Sequence, residues 1–260
     1  MKNLLAFEFH KLLRSKALYI CLSIACVFLL LSTAVIFIGM AIEKSMAIEQ
    51  GIDVSAIEEM FSSNSAFDMM TSALSSSSLT SIFGIFAVIF LCDDFSQKTI
   101  KNVYSHGFSR SQVFLAKVIV VAVAAVGAYL IVLAFGFAFG LVFFGKVGEI
   151  ANPLIYLDQL LVLLCNLSLA AFLCFMSKKI TVSIGLLLFA PGIIGLVFTI
   201  ADLIINSETF TLANYWFGNY ELLIYKGAPA EKLVTALIGS VAYTALFTTL
   251  GWVFNNKNEM

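Results

Sequence analysis

The sequence predicts an all-α membrane protein: six transmembrane helices, an N-terminal interfacial helix, and a short cytoplasmic helix between spans 2 and 3. Three observations carry that prediction. Apolar residues make up 61% of the chain and charged residues only 12%, about half the charged share of a soluble domain, so the polar residues are too few to cover a soluble fold. Six apolar runs have the roughly 20 residues that a membrane-crossing helix needs. The runs are too long, and alternate too rarely, for barrel strands.

The runs fall at about 17–42, 73–92, 113–144, 157–176, 181–205 and 233–254, within one transmembrane domain spanning residues 1–260. Span 1 follows Lys11, Arg14 and Lys16, as the core of a signal peptide would, but its apolar run exceeds the 7–15 residues of such a peptide; it is read as retained. Span 2 opens on Ser75 to Ser78, which either line a polar path or sit at the outer boundary. Span 3 is long enough to tilt or project. Its Gly136 and Gly140 have G-x-x-x-G spacing, which allows close helix packing inside the bundle or at a dimer face. The run from Gly140 to Lys146 imitates the start of a phosphate-binding loop. Val147 stands where Ser or Thr should hold magnesium, and no strand precedes it, so nucleotide binding is not assigned there. Asn166 heads a glycosylation sequon that has no meaning inside span 4, although its amide can bond across helices. Span 5 is interrupted at Pro191-Gly192. Asp202 near its outer end is either a path-lining group or an interfacial carboxylate.

Charge sets the orientation. Eleven of the fifteen Lys and Arg residues lie in residues 1–16, 93–117, 178–179 and the C-terminus; the other four are Lys44, Lys146, Lys226 and Lys232. The positive-inside rule places both termini in the cytoplasm. Cys21, Cys26, Cys92, Cys165 and Cys174 are odd in number and lie in apolar runs, so free, packed thiols are expected rather than a disulfide framework or metal site. The net charge of −1 points away from a nucleic-acid partner.

Outside the membrane, 43–72 reads as an acidic, Ser-rich loop, and 206–232 as a second long segment. The latter carries Tyr215, Trp216, Phe217 and Tyr220, which suit either an aromatic belt at the membrane boundary or an outer gate. On the inside, Leu5, Phe9, Leu12 and Leu13 of residues 1–16 follow helical spacing, with Asn3, His10, Lys11 and Arg14 opposite them. That pattern predicts a helix lying in the interface among anionic head groups; a plain basic flank is the other reading. The stretch DDFSQKTIKNVYSHGFSRSQVFLAK, 93–117, is the most polar part of the chain. A short helix is expected over 95–104, broken at Gly107, followed by a new helix capped by Ser109 with Gln112. It is far longer than a simple turn between spans. A docking helix for a soluble partner and a solvated basic loop both remain open from the residues alone.

The N-terminal FEFHKLLRSK, the 93–117 stretch and the six-span layout together resemble a small permease subunit of the ABC-2 type, of the bacterial peptide-antibiotic export or immunity kind. The resemblance covers essentially the whole chain; Lys98 stands where family members commonly have Gly. It implies that 1–16 is the elbow helix, and that Asp94, Phe95, Lys98, Thr99, Lys101, Asn102 and Tyr104 couple to a separate ABC ATPase. It also implies that 206–232 caps the path, with Tyr215, Trp216, Phe217 and Tyr220 as its gate. Expected partners are that ATPase, a second permease copy or a paralogue, and membrane lipid, in a bacterial cell membrane. ATP and magnesium are expected on the ATPase. No cofactor, metal or catalytic site is expected in this chain, which lacks H-E-x-x-H and G-x-S-x-G motifs and has only His10 and His106. The expected function is ATP-driven export of an amphipathic substrate; the alternative is a non-transporting sensor or assembly scaffold that binds its partner through 93–112.

Overall fold

In lipid, a segment must satisfy its own backbone, which leaves the helix as the default for a chain this apolar. The computed structural model describes residues 1–49, 64–72, 77–97, 99–105, 107–205 and 211–257, and every regular element among them is helical. In chain order these are α1 (Lys2–Arg14), α2 (Lys16–Glu49), α3 (Ala66–Ser72), α4 (Ser77–Ser96), α5 (Ile100–Ser105), α6 (Arg110–Phe144), α7 (Pro153–Ser177) and α8 (Ile180–Ile205). Two 3-10 turns, Leu212–Tyr215 and Phe217–Asn219, then lead into α9 (Tyr220–Leu223) and α10 (Ala230–Lys257). Six of them, α2, α4, α6, α7, α8 and α10, are long and apolar enough to cross a membrane.

The six spans lie where the apolar runs predict, with different ends. Helix α2 continues seven residues past Ile42, to Glu49, because Glu43, Lys44, Met46 and Ala47 are all good helix formers. The expected loop 43–72 is therefore helical at both of its ends, and 50–63 lies outside the described residues. The expected helix 95–104 is also redrawn: Asp93, Asp94 and Phe95 still belong to α4, and the separate loop helix runs only from Ile100 to Ser105. Gly107, at φ 84°, makes the turn that follows. Ser109 then caps α6 with both bonds of the capping box in place, as the Ser109–Gln112 spacing predicts. Gly145 ends α6 in the left-handed region at φ 66°, so the phosphate-loop lookalike is a helix C-cap.

Helices α4 and α7 form the centre of the bundle: 61% of the most apolar stretch of each is buried, against 11% for α8 and 22% for α2 and α10. Helix α7 packs along α10, α4 and α8, while α6 carries α1, α2 and α3. Cys92 and Cys174 are joined as a disulfide between α4 and α7, with Cα atoms 5.7 Å apart. This corrects the expectation that every thiol stands free: the two central helices bring these Cα atoms within disulfide reach. Cys21, Cys26 and Cys165 remain thiols.

The end of α10 meets the start of α6 on one side of the bundle, where Asn255 of α10 donates its amide to the carbonyl of Arg110 and Trp252 donates its indole N–H to Ser111. On the opposite side α3 docks on α6. A Cβ on Gly140 would lie 2.6 Å from the Ala66 Cα. Gly136 is buried in the same helix. The close packing at Gly140 is thus with this chain's own α3.

Candidate functional site

Helix α1 presents Leu4, Glu8 and Leu12 to the protein, one residue per turn, because the i, i+4, i+8 positions share a helix face. Leu13, grouped with Leu5, Phe9 and Leu12 by the helical spacing, is 61% exposed, and Phe7 is 56% exposed. Helix α1 therefore has two apolar faces, and the one that meets the bundle carries an acid at its centre. Leu4 packs with Val113 and Ala116 of α6 and with Val103, Tyr104 and Phe108 of the loop. One turn on, Glu8 meets Lys117 of α6 at 2.9 Å, and both side chains are fully buried. Lys117 also pairs with Asp94 at the end of α4. Asp94 pairs in turn with Lys11 of α1, and Lys11 lies 3.6 Å from Asp93. Thr99 donates its hydroxyl to Asp94 at 3.2 Å, and Gln97 donates its amide to Asp93 at 2.7 Å. The Phe90 ring lies 5.4 Å from the Lys11 ammonium and 5.8 Å from that of Lys117, within cation–π range.

Three carboxylates and two ammonium groups thus join α1, the end of α4 and the start of α6 in one cluster. Such burial is costly unless each charge finds partners, so the cluster fixes the relative register of the three elements. Among the sequence candidates, Asp94 and Thr99 lie inside this junction, and Tyr104 packs on the Leu4 cluster with its hydroxyl buried and without a hydrogen-bond partner among the described residues; burial pushes that phenol's pKa up. Phe95 stands edge-on to Phe175, ring centroids 5.4 Å apart. Lys98 lies outside the described residues; Lys101 and Asn102 are in α5, with their side chains outside the description. Among the described residues of this stretch, Ser96, Gln97, Ser105, Gly107 and Ser109 are exposed. Sequence reasoning missed Glu8 and Lys11 as junction members. The available signal was Lys117, a lone cation between Ala116 and Val118, which an apolar helix carries only with a partner.

The opposite end is built differently. Trp216, Phe217 and Tyr220 are buried, and Tyr215 is 52% exposed. The first three are wedged beside α8 and α10. Trp216 packs on Phe198, Phe217 and Tyr243, and its indole donates to the Pro191 carbonyl at 2.9 Å. Tyr220 donates to the Tyr215 carbonyl at 3.0 Å, and a Cβ on Gly239 would fall 1.8 Å from its hydroxyl oxygen. Asp202 accepts the amides of Leu212 and Ala213 at 2.6 and 2.8 Å, so this carboxylate holds the wedge to the end of α8. Of the serines at the start of span 2, Ser75 and Ser76 lie outside the described residues, as do the side chains of Ser77 and Ser78.

Two further acids went unremarked in the sequence. Asp158 of α7 is fully buried, and neither carboxylate oxygen has a hydrogen-bond partner among the described residues. Half-buried Asn166 likewise leaves its buried Oδ1 without a hydrogen-bond partner among the described residues. Glu221 in the wedge accepts from Thr80 at 2.5 Å. Burial pushes the Glu221 pKa from its ordinary 4.5 up to about 7, against a smaller lowering by that hydrogen bond. The fold therefore binds this proton more tightly than the unfolded chain does, and the stability it adds is full below 4.5 and lost as pH climbs through about 7. Thermal midpoints of the detergent-solubilised protein between about pH 5 and 8 should fall with rising pH, with a flatter profile in Glu221→Gln.

Among the described residues no three His, Cys, Asp or Glu side chains converge as a metal site would require. Six membrane-length helices, with an amphipathic helix clamped onto a loop between spans, define a multi-pass membrane protein of the permease kind. The chain belongs to the ABC-2 transporter family: the family model described as ABC-2 family transporter protein matches residues 4–202. That match includes the whole ion-paired junction, the first four spans and all but the last three residues of the fifth. No curated protein matches the chain. Permeases of this family generally work with an ABC ATPase.

Proposed function

We propose that this chain is the transmembrane subunit of an ATP-driven exporter, with the loop 93–109 docking on a separate ATPase at the cytoplasmic side. Substrates of amphipathic character, such as a secreted or antimicrobial peptide, fit the family resemblance. The observation that carries the reading is the junction. Leu4 of α1 and Val113 and Ala116 of α6 form one buried cluster, and Val103 and Tyr104 of the loop helix pack against it. A push on α5 is therefore delivered to α1 and α6 together. A second permease copy or paralogue completes the transporter, and α8, with Phe189, Leu196 and Leu203 exposed, offers an apolar face that must be covered by lipid or by protein.

The test is co-purification of the ATPase with the wild-type chain and with Lys101→Glu, together with ATP hydrolysis in vesicles. Reversing that charge should weaken ATPase capture and lower transport-coupled hydrolysis severalfold while leaving the permease folded in the membrane. An intact permease that captures no ATPase in either form would overturn the reading in favour of a scaffold or sensor.

A further inference from the structure

The two cations that the junction leaves over point to a second site. Where α1 turns into α2, a crevice of about 450 Å³ opens beside α4. Its walls carry Lys11, Arg14 and Lys16 together with Asp93, and the apolar groups Ile89 and Phe90 also line it. Lys11 is held by Asp93 and Asp94. Among the described residues Arg14 and Lys16 have no ion pair, so the crevice faces outward with an excess of positive charge over its single acid. The surroundings are those of a membrane surface. Phe7 and Leu13 of α1 are exposed, as are Tyr19 and Ile20 of α2, and apolar side chains this exposed beside a transmembrane helix need acyl chains against them.

We infer that this crevice binds the phosphodiester head group of one anionic phospholipid, with Arg14 and Lys16 taking the phosphate and the acyl chains lying along the exposed faces of α1 and α2. A forked guanidinium beside an ammonium suits phosphate oxygens, and the Ile89–Phe90 side suits the glycerol and first methylenes of the chains. The site lies next to the ion cluster, and Lys11 belongs to both. An anion in the crevice therefore competes with Asp93 for Lys11 and alters the junction's hold on α1. This inference does not depend on whether the chain transports anything.

The experiment titrates detergent-solubilised, full-length protein with a short-chain phosphatidylglycerol and follows its thermal midpoint. Phosphatidylcholine of the same chain length and inorganic phosphate serve as parallel probes. Phosphatidylglycerol should raise the midpoint saturably and phosphatidylcholine should not. Arg14→Gln with Lys16→Gln should weaken the apparent affinity roughly thirtyfold, the weight of two cations beside an anionic head group. Lys178→Gln with Lys179→Gln, which removes the same charge elsewhere on that side, should leave it unchanged. Equal losses in both double variants would mean diffuse surface attraction and overturn the site. A full response to inorganic phosphate alone would overturn the lipid assignment in favour of a soluble anion. If the Arg14/Lys16 variant does not fold, the wild-type comparison of the three probes still decides between lipid and soluble anion, and Arg14→Lys, which keeps the charge but loses the fork, should weaken binding by less than the double variant.

Discussion

Lys117→Met will be among the most damaging single substitutions outside the loops, with an expected cost of about 3–5 kcal/mol. The lysine is fully buried and is the ion-pair partner of Glu8. A methionine fills similar space but leaves Glu8 fully buried with no cation. Asp94 fares better, because it keeps Lys11 and the Thr99 hydroxyl. The companion variant follows from that asymmetry. Glu8→Leu with Lys117→Met removes both members of the buried pair and should recover most of the lost stability, since apolar replacement of a buried ion pair is often neutral. Thermal unfolding in detergent reads both: the single variant should drop by on the order of 10 °C, and the double should return most of the way. A Lys117→Met protein as stable as the wild type would show that the pair contributes nothing. A double variant that folds yet has lost coupling to ATP hydrolysis would identify the charges as the transmitting element.

Gly140→Ala should destabilise by about 1–3 kcal/mol, although alanine is the better helix former. The added carbon would sit 2.6 Å from the Ala66 Cα and 3.0 Å from the Met69 Cβ. The first of these is backbone, so relief requires α3 to move as a body, away from the bond between the Ala66 amide and the Lys146 carbonyl at 2.9 Å. Gly127, in the same helix, has nothing within 4 Å of the equivalent position. Gly127→Ala should instead gain about 0.5–1 kcal/mol. Opposite signs from one substitution at two glycines of one helix would separate packing from propensity, and equal gains at both would refute the close approach of α3.

The six spans were legible because lipid admits only long apolar helices, and a run of 20 apolar residues has few other uses. Their ends were less so. Glu43 and Lys44 look like loop residues, yet helix continues through them, since water satisfies side chains on a helix as well as on a loop. The ABC-2 resemblance was readable from 1–16 and 93–117, but the direction in which those side chains face was not. Asp94 pairs with Lys11 of α1 and Lys117 of α6, and Tyr104 packs on the cluster of Leu4, Val113 and Ala116, contacts that no local pattern announces. Glu8 and Lys117 lie 109 positions apart in sequence, and helical periodicity carries no information at that range. The aromatic segment was open to two readings for a related reason. Trp and Tyr favour both a bilayer boundary and a half-polar packing site, and only the position of Tyr243 and Phe247 on α10 separates the two.

Helix α6 runs unbroken through 35 residues, Arg110 to Phe144, a length of about 52 Å at 1.5 Å per residue. The hydrocarbon core is about 30 Å thick, so one stiff rod extends beyond both faces of the bilayer. It holds Lys117 near one end and Gly140 about 35 Å away near the other, and it contains no proline. Such a rod has no joint at which a tilt could be absorbed. A lever of this kind gives the two sides of the membrane a common degree of freedom, so the seating of α3 and the seating of α1 cannot be set independently.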